Sequence, residues 1–286
     1  MHKFNTILEK YNLLHKKQDL VKIASSSIGI LREKTDDEDI QIGGSKFGGL
    51  PDLPANVPFP NYQSGNLSFL AQLNLKDLTF LDTEDSLPKT GMLYFFYDVV
   101  NQPWGLEKED KDSYKVLYFD GDLKELSRTS YPKFTEDYFP LPSHKVGFTK
   151  MLTFSEEPAA LDLNDSELDD YFLFREEIMQ PRGTDYIIQG LDEDLAVPKH
   201  YLLGEPFNIQ NNVFDDVIHY WNYEKTDMNS TKMEIKSEKM ILLFQMDSDE
   251  ELDVMWGDVG MLYFCINETD LIKRQFDQVK FILQCY

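Results

Sequence analysis

The sequence predicts an α+β protein made of two internally duplicated β-rich units, mainly antiparallel, that share one core and carry peripheral helices. Residues 91–95 (GMLYF) recur letter for letter at 260–264. Each copy follows an apolar run that carries a glutamine, Gln72 in FLAQLNL (69–75) and Gln245 in ILLFQMD (241–247), and precedes a third run, YKVLYF (114–119) or QVKFIL (278–283). A Gly-x-Pro turn stands upstream of each trio, at 49–51 and 204–206. The unequal offsets mark an old duplication with loop insertions rather than a solenoid of short units. Short runs of Leu, Ile, Val, Phe and Tyr bounded by Gly, Pro, Asn and Asp read as strands, and runs apolar at nearly every position read as strands covered on both faces.

Taken in order, Phe4, Ile7, Leu8, Tyr11 and Leu14 recur at helical spacing, which predicts an amphipathic N-terminal helix. Asp19 is expected to cap a second short helix through Leu20, Ile23 and Ala24. Residues 27–32 read as a strand, and 43–130 as the first β-rich unit, with 1–42 lying before it. Within 43–60 fall four of the fifteen glycines and four of the thirteen prolines. Such a stretch is either a rigid loop packed on the sheet or a clamp over a pocket. One helical turn is expected over 76–81. Residues 131–199 connect the units, with a strand over 145–154 and a helix over 164–179 capped by Asp165 or Ser166. The second unit, 200–286, carries an insertion at 211–237 in which Phe214, Val217, Ile218 and Trp221 have helical spacing. All four segments are expected to form one compact domain.

Composition narrows the function classes. Hydrophobic residues make up 42% of the chain and aromatics 13%, enough for a large core and against general disorder. No apolar run approaches the ~18 residues of a membrane span, and a charged, periodic N-terminus does not resemble a signal peptide. A cytoplasmic location follows as the expectation. Cys265 and Cys285 lie in apolar strands and read as reduced, buried thiols. The net charge of −23 opposes binding to nucleic acid and to anionic lipid surfaces and favours a basic protein partner. Much of the excess is local, since residues 156–195 hold thirteen acids against Arg175 and Arg182. That segment is a solvated acidic face or a docking surface.

Candidate site residues are few. Asp247, Asp249 and Asp258 offer hard oxygen ligands of the kind that hold Ca²⁺ or Mg²⁺, although Leu252 stands where an EF-hand needs glycine. The alternative is that Asp247 ends a strand, Ser248 or Asp249 caps a short helix over 250–255, and Asp258 supports the turn into Gly260. Gln72 and Gln245 occupy matching strand positions, where they are expected to face each other across the pseudo-twofold and tie loop backbone to the sheet. Trp104 and Trp256 either fill core or line a shared groove; Gly48 and Gly49 allow close backbone approach. Of the five histidines only His200, just before the second Gly-x-Pro, stands near these motifs. No HExxH, GxSxG, P-loop, GxGxxG or CxxC pattern is present, so no catalytic residue is nominated and an enzyme is disfavoured.

The motifs SKFGGLPDLP (45–54), FLAQLNL (69–75), LLGEPFNIQN (202–211) and DSDEELDVMWGDVGMLYF (247–264) resemble the YwqG-like family of bacterial proteins over nearly the whole chain. The resemblance implies an α+β fold with internal duplication, no assigned activity, and occurrence in some toxin and immunity neighbourhoods. One departure from the repeat is that Trp104-Gly105 follows the first GMLYF whereas Trp256-Gly257 precedes the second. Two readings therefore stand: a protein-binding module, in the form of an immunity-type inhibitor of a basic toxin, or a small-ligand or divalent-cation-binding protein using a groove between the units. A hydrolase built on clustered carboxylates ranks below both.

Overall fold

The computed structural model describes residues 2–63, 65–132, 139–179, 199–225 and 239–286. In chain order come helices α1 (His2–Lys10) and α2 (Lys17–Ile23), then strands β1 (Ser25–Lys34), β2 (Lys46–Phe47), β3 (Asp52–Pro54), β4 (Asn61–Tyr62), β5 (Gly65–Asn66) and β6 (Ser68–Asn74). Helix α3 (Leu75–Leu78) leads to β7 (Met92–Tyr97), β8 (Tyr114–Phe119), β9 (Leu126–Arg128) and β10 (His144–Thr153). Helix α4 (Asp165–Met179), β11 (His200–Leu202), α5 (Val213–Lys225), β12 (Met240–Asp247), β13 (Met261–Asn267), α6 (Glu268–Ile272) and β14 (Lys280–Gln284) complete the described elements. Of the insertion expected at 211–237, the structure describes the part through residue 225.

A mixed α+β fold results, dominated by one antiparallel sheet of ten strands in the order β14-β13-β12-β11-β1-β10-β2-β6-β7-β8. The central pair, β1 and β10, runs in register from Ser25 opposite Thr153 to Lys34 opposite His144. Segments 1–42 and 131–199, expected beside the β-rich units, thus supply the middle of the sheet. Twist and curl bring its edges together. Tyr114 of β8 stacks on Phe281 of β14 at 5.1 Å, and its hydroxyl donates to the carbonyl of Val279 at 3.0 Å. The sheet is a nearly closed barrel.

Alternation along the GMLYF strands explains why both faces are apolar. Leu93 and Phe95 of β7, with Leu262 and Phe264 of β13, point inward and are fully buried. Phe95 lies 4.8 Å from Phe244 and 5.1 Å from Phe264, and Phe264 lies 5.1 Å from Phe281. Met92 and Tyr94 point outward under β3, β9 and the proline-rich loop, through Leu53, Leu126 and Phe59. Met261, Tyr263 and Cys265 point outward under α1, α2, α4 and α5, through Leu8, Leu20, Phe174 and Val217. Both cysteines are free and buried.

Each outer covering is pinned by one glutamine and one tyrosine. Gln72 Oε1 accepts the Asp52 N–H at 2.8 Å while the Tyr94 hydroxyl donates to the Asp52 carbonyl at 2.6 Å. Gln245 Oε1 accepts the Phe207 N–H at 2.9 Å while the Tyr263 hydroxyl donates to the Phe207 carbonyl at 2.6 Å. The two glutamines therefore do not face each other; each turns outward to its own loop, because the barrel interior is filled by aromatic rings. Strands β6 and β12 also both carry a register shift, at Phe69/Ala71 and at Leu242/Phe244.

Several local expectations change. Asn164, not Asp165 or Ser166, caps α4: its side chain accepts the Glu167 N–H at 3.1 Å and its own N–H donates to Glu167 at 2.9 Å, a reciprocal capping box. Phe172 faces solvent while Phe174 and Arg175 take the buried face. Asp19 sits inside the first turn of α2, after Lys16. Residues 250–255 form no helix; Asp249 and Val254 exchange backbone hydrogen bonds and close a tight turn.

Replacing Gln72 or Gln245 by leucine is expected to cost about 1–3 kcal/mol each, because a buried loop N–H loses its acceptor. Denaturant unfolding measures this, with the larger loss at Gln72, whose amide also donates to Gly44 O and to Asp52 Oδ2. Unchanged midpoints would show that other contacts hold the loops.

Candidate functional site

At one end of the barrel the connection between β7 and β8 meets the connection between β12 and β13. Gln102 joins them, donating from Nε2 to the Met255 carbonyl at 2.9 Å and accepting the Gly257 N–H on Oε1 at 2.8 Å. The Trp104 carbonyl accepts the Leu283 N–H of edge strand β14 at 3.0 Å, and the Tyr286 N–H donates to the Asp258 carbonyl at 3.0 Å. Beneath them the Trp256 indole is fully buried, donates to the Asp247 carbonyl at 3.1 Å and meets Tyr97 edge to face. The Ser248 hydroxyl accepts the Trp256 N–H and donates to the Gly260 carbonyl. Every one of these bonds fixes loop backbone, so the surface above is rigid.

That surface is unusual in composition. Val100 is 50% exposed, Trp104 42%, Met255 57% and Val259 48%, within loops that also expose Glu250, Glu251, Asp253 and Asp258. Gln102, Asp253 and Val259 hold positive φ of 46°, 54° and 51°. For a β-branched residue such as Val259 that conformation is strained and persists only where surrounding structure imposes it.

A buried polar triad lies under the same turn. His200 Nδ1 accepts the Asp247 N–H at 3.1 Å, so its proton sits on Nε2, which faces Asp249 Oδ2 at 3.0 Å. Arg32 donates to Asp249 Oδ1 at 2.7 Å. Burial pushes the imidazole below its ordinary value and keeps it neutral. Burial also opposes the Asp249 charge, but the hydrogen bond from His200 and the Arg32 guanidinium outweigh it and hold the acid well below the usual carboxylate range. All three side chains are occupied in holding the turn to β11 and β1.

The remaining expected site residues fall apart from one another. Among the described residues no three His, Cys, Asp or Glu side chains group as a metal site; Asp249 is spent on Arg32 and His200, while Asp258 is exposed beyond Trp256. Trp104 and Trp256 share no groove, because one is at the surface and the other fills core. Gly48 and Gly49 hold φ of +58° and +67°, and a Cβ on either would collide with the Leu141 and Pro142 carbonyls or the Asp37 carboxylate. Their role is close packing. Gln72 and Gln245 are buried anchors.

Two clefts remain. One of about 130 Å³ lies between the halves, where residues 81–86 cross to Ser25, Ser26, Glu205 and Lys239; it contains none of the nominated residues. A larger one, about 590 Å³, opens between residues 57–63 and β8. The proline-rich stretch is thus both a packed loop and one wall of a cleft. Met255, Val259, Gln102 and Arg32 carried no sequence signal, since exposed apolar loop residues and lone polar ones fit no spacing rule.

The triad sets a pH dependence. His200 is neutral when folded but takes a proton below pH ~6.5 when unfolded, so the unfolded chain binds more protons and stability falls on acidification through that window. Asp249, depressed when folded, contributes stability that is lost at still lower pH, from about 4 downward. Melting temperature is expected to drop from pH ~6.5, and His200→Gln, which keeps both hydrogen bonds without titrating there, flattens the upper part of the drop. Identical profiles for both proteins would show that the imidazole is not the group responsible.

No curated protein matches the sequence. Residues 45–285, which span both GMLYF strands, both glutamine anchors and the turn at 247–260, match the profile of a domain of unknown function. The chain belongs to that family, DUF1963.

Proposed function

We propose that the chain is a protein-binding module that engages a basic partner through the rigid surface formed by the Gln102-bridged loops. The observation that carries this reading is the exposure of Val100, Trp104, Met255 and Val259 on two bridged loops, one of which also exposes Glu250, Glu251, Asp253 and Asp258. Trp anchors in the centre of an interface supply most of its binding energy, and a polar rim of one sign selects the oppositely charged partner and hastens encounter. The net charge of −23 extends that field over the molecule. An immunity-type inhibitor that covers a basic toxin fits this chemistry, and the likeness to the YwqG-like family supports it. Acids of α4, among them Asp165 and Asp169, face solvent beside Phe172 and Leu173 and add to the same field.

What supports descent from two diverged copies is the matched hydrogen bonding of Gln72–Tyr94 and Gln245–Tyr263 and a strand order with one three-strand meander at each edge. On that reading the bridged loops join one copy to the other, and the docking surface is made by both.

The test is affinity for the protein cross-linked to this chain in its native host. Trp104→Ala with Met255→Asp is expected to weaken binding at least tenfold at any salt concentration. Asp253→Asn with Asp258→Asn is expected to weaken it at low salt, mainly through the association rate. An acidic partner, or an affinity indifferent to Trp104 and Met255, would overturn the reading.

A further inference from the structure

The cleft between residues 57–63 and β8 lies in the first half, on the outer face of the sheet, and shares no lining residue with the Gln102-bridged surface. Its volume, about 590 Å³, falls in the range of roughly 300–1,000 Å³ typical of small-molecule sites. Pro58 and Pro60 stiffen one wall, and Phe59 in that wall packs on Tyr131 at 4.7 Å and Phe96 at 5.7 Å. The Tyr62 hydroxyl donates to the Glu109 carbonyl at 2.7 Å and ties the wall to the turn before β8. The opposite wall is the outer face of β8, where Lys115 and Leu117 stand opposite Phe96 and Tyr94 of β7. The cleft is therefore preformed and mainly apolar.

Lys115 is its distinguishing group. It projects from the wall beside Leu117, is exposed, and joins no ion pair among the described residues. It is the one cation among the described residues that line the cleft. Asp112, the other charged residue of the cleft, lies in the turn before β8, farther from Leu117 along the chain. Strand addition by a peptide is disfavoured, because the free edge of β8 is turned to residue 279 through Tyr114. A membrane source is disfavoured by the net charge, which repels anionic lipid.

We infer that this cleft binds a small molecule with an apolar, ring-sized body and one anionic group, the body lying between Phe59 and Leu117 and the anion meeting the Lys115 ammonium. A charge-assisted contact of that kind is worth about tenfold in affinity or more.

Two fluorescent probes with the same aromatic body separate the parts of the claim: 8-anilinonaphthalene-1-sulfonate, an anion, and neutral N-phenyl-1-naphthylamine. The folded full chain is expected to bind the sulfonate saturably at one site. Lys115→Gln should weaken it about tenfold and Lys115→Glu should abolish it, both leaving the neutral probe unchanged. Leu117→Asp should remove both probes, and because Leu117 is partly buried, its melting curve is compared with wild type. Lys115 is exposed, so its variants keep the test sound even if Leu117→Asp unfolds. Failure of the sulfonate to bind, binding unaffected by both Lys115 variants, or preference for the neutral probe would each overturn the proposal.

Discussion

A sheet that is apolar on both faces must be covered twice, and the rest of this molecule follows from that constraint. Curling hides one face at the cost of filling the barrel with phenylalanine rings, Phe95, Phe244, Phe264 and Phe281 among them. The other face needs loops and helices laid over it, and their backbone then becomes buried. A buried N–H or C=O without a partner costs as much as a lost hydrogen bond. Gln72 with Tyr94 and Gln245 with Tyr263 solve this by taking both backbone groups of one loop residue, Asp52 or Phe207. The coverings stay registered on the sheet because those residues have nowhere else to find partners.

The two halves then diverge in how the covering is filled. Beside Gln72, strand β2 presents Lys46, fully buried and bonded to Asp37, with Arg128 bridging Asp37 and Asp52. Burial drives the Lys46 ammonium below its ordinary value, although Asp37 opposes the change. Beside Gln245, strand β11 presents the neutral Tyr201 instead. Breaking one member of a buried ionic network leaves the others uncompensated. The second half carries buried charge as well, in Arg175 over the Phe207 ring and in the Arg32–Asp249 pair, but not on the strand beside its glutamine anchor.

How far the sequence discloses this depends on the kind of signal. The paired GMLYF runs and Gly-x-Pro turns are backbone statements, and the strands and turns lie where those residues place them. Gln72 and Gln245 were readable as anchors because a mid-strand amide demands partners; their direction was not, since period-2 alternation is silent when both faces are apolar. Trp104 and Trp256 show the limit from the other side. Identical residue types with identical Gly neighbours end in opposite environments, because Trp256 is drawn inward by the Asp247 carbonyl and Tyr97 while the Trp104 backbone is taken up by Leu283. Asp249 has the chemistry of a metal ligand and the surroundings of a structural acid. Only the positions of Arg32 and His200, far away in sequence, decide between them.

The bridge at Gln102 carries a thermodynamic consequence for the proposed docking surface. It joins a loop of the first half to a turn of the second across the closing seam of the barrel, which Tyr114 also spans where it reaches Val279. A partner seated over Trp104 and Met255, as proposed, would touch both loops at once and so favour the form in which they are bridged. By linkage its binding energy is added to the stability of closure, and the strained φ of Val259 is held in place by the same contacts. Mutual repulsion among the acids works against the compact state, so a basic partner relieves repulsion and reinforces the seam in one step. On the proposed reading, binding over these loops would reinforce the seam that Gln102 helps to close, together with Tyr114 and the Trp104 carbonyl.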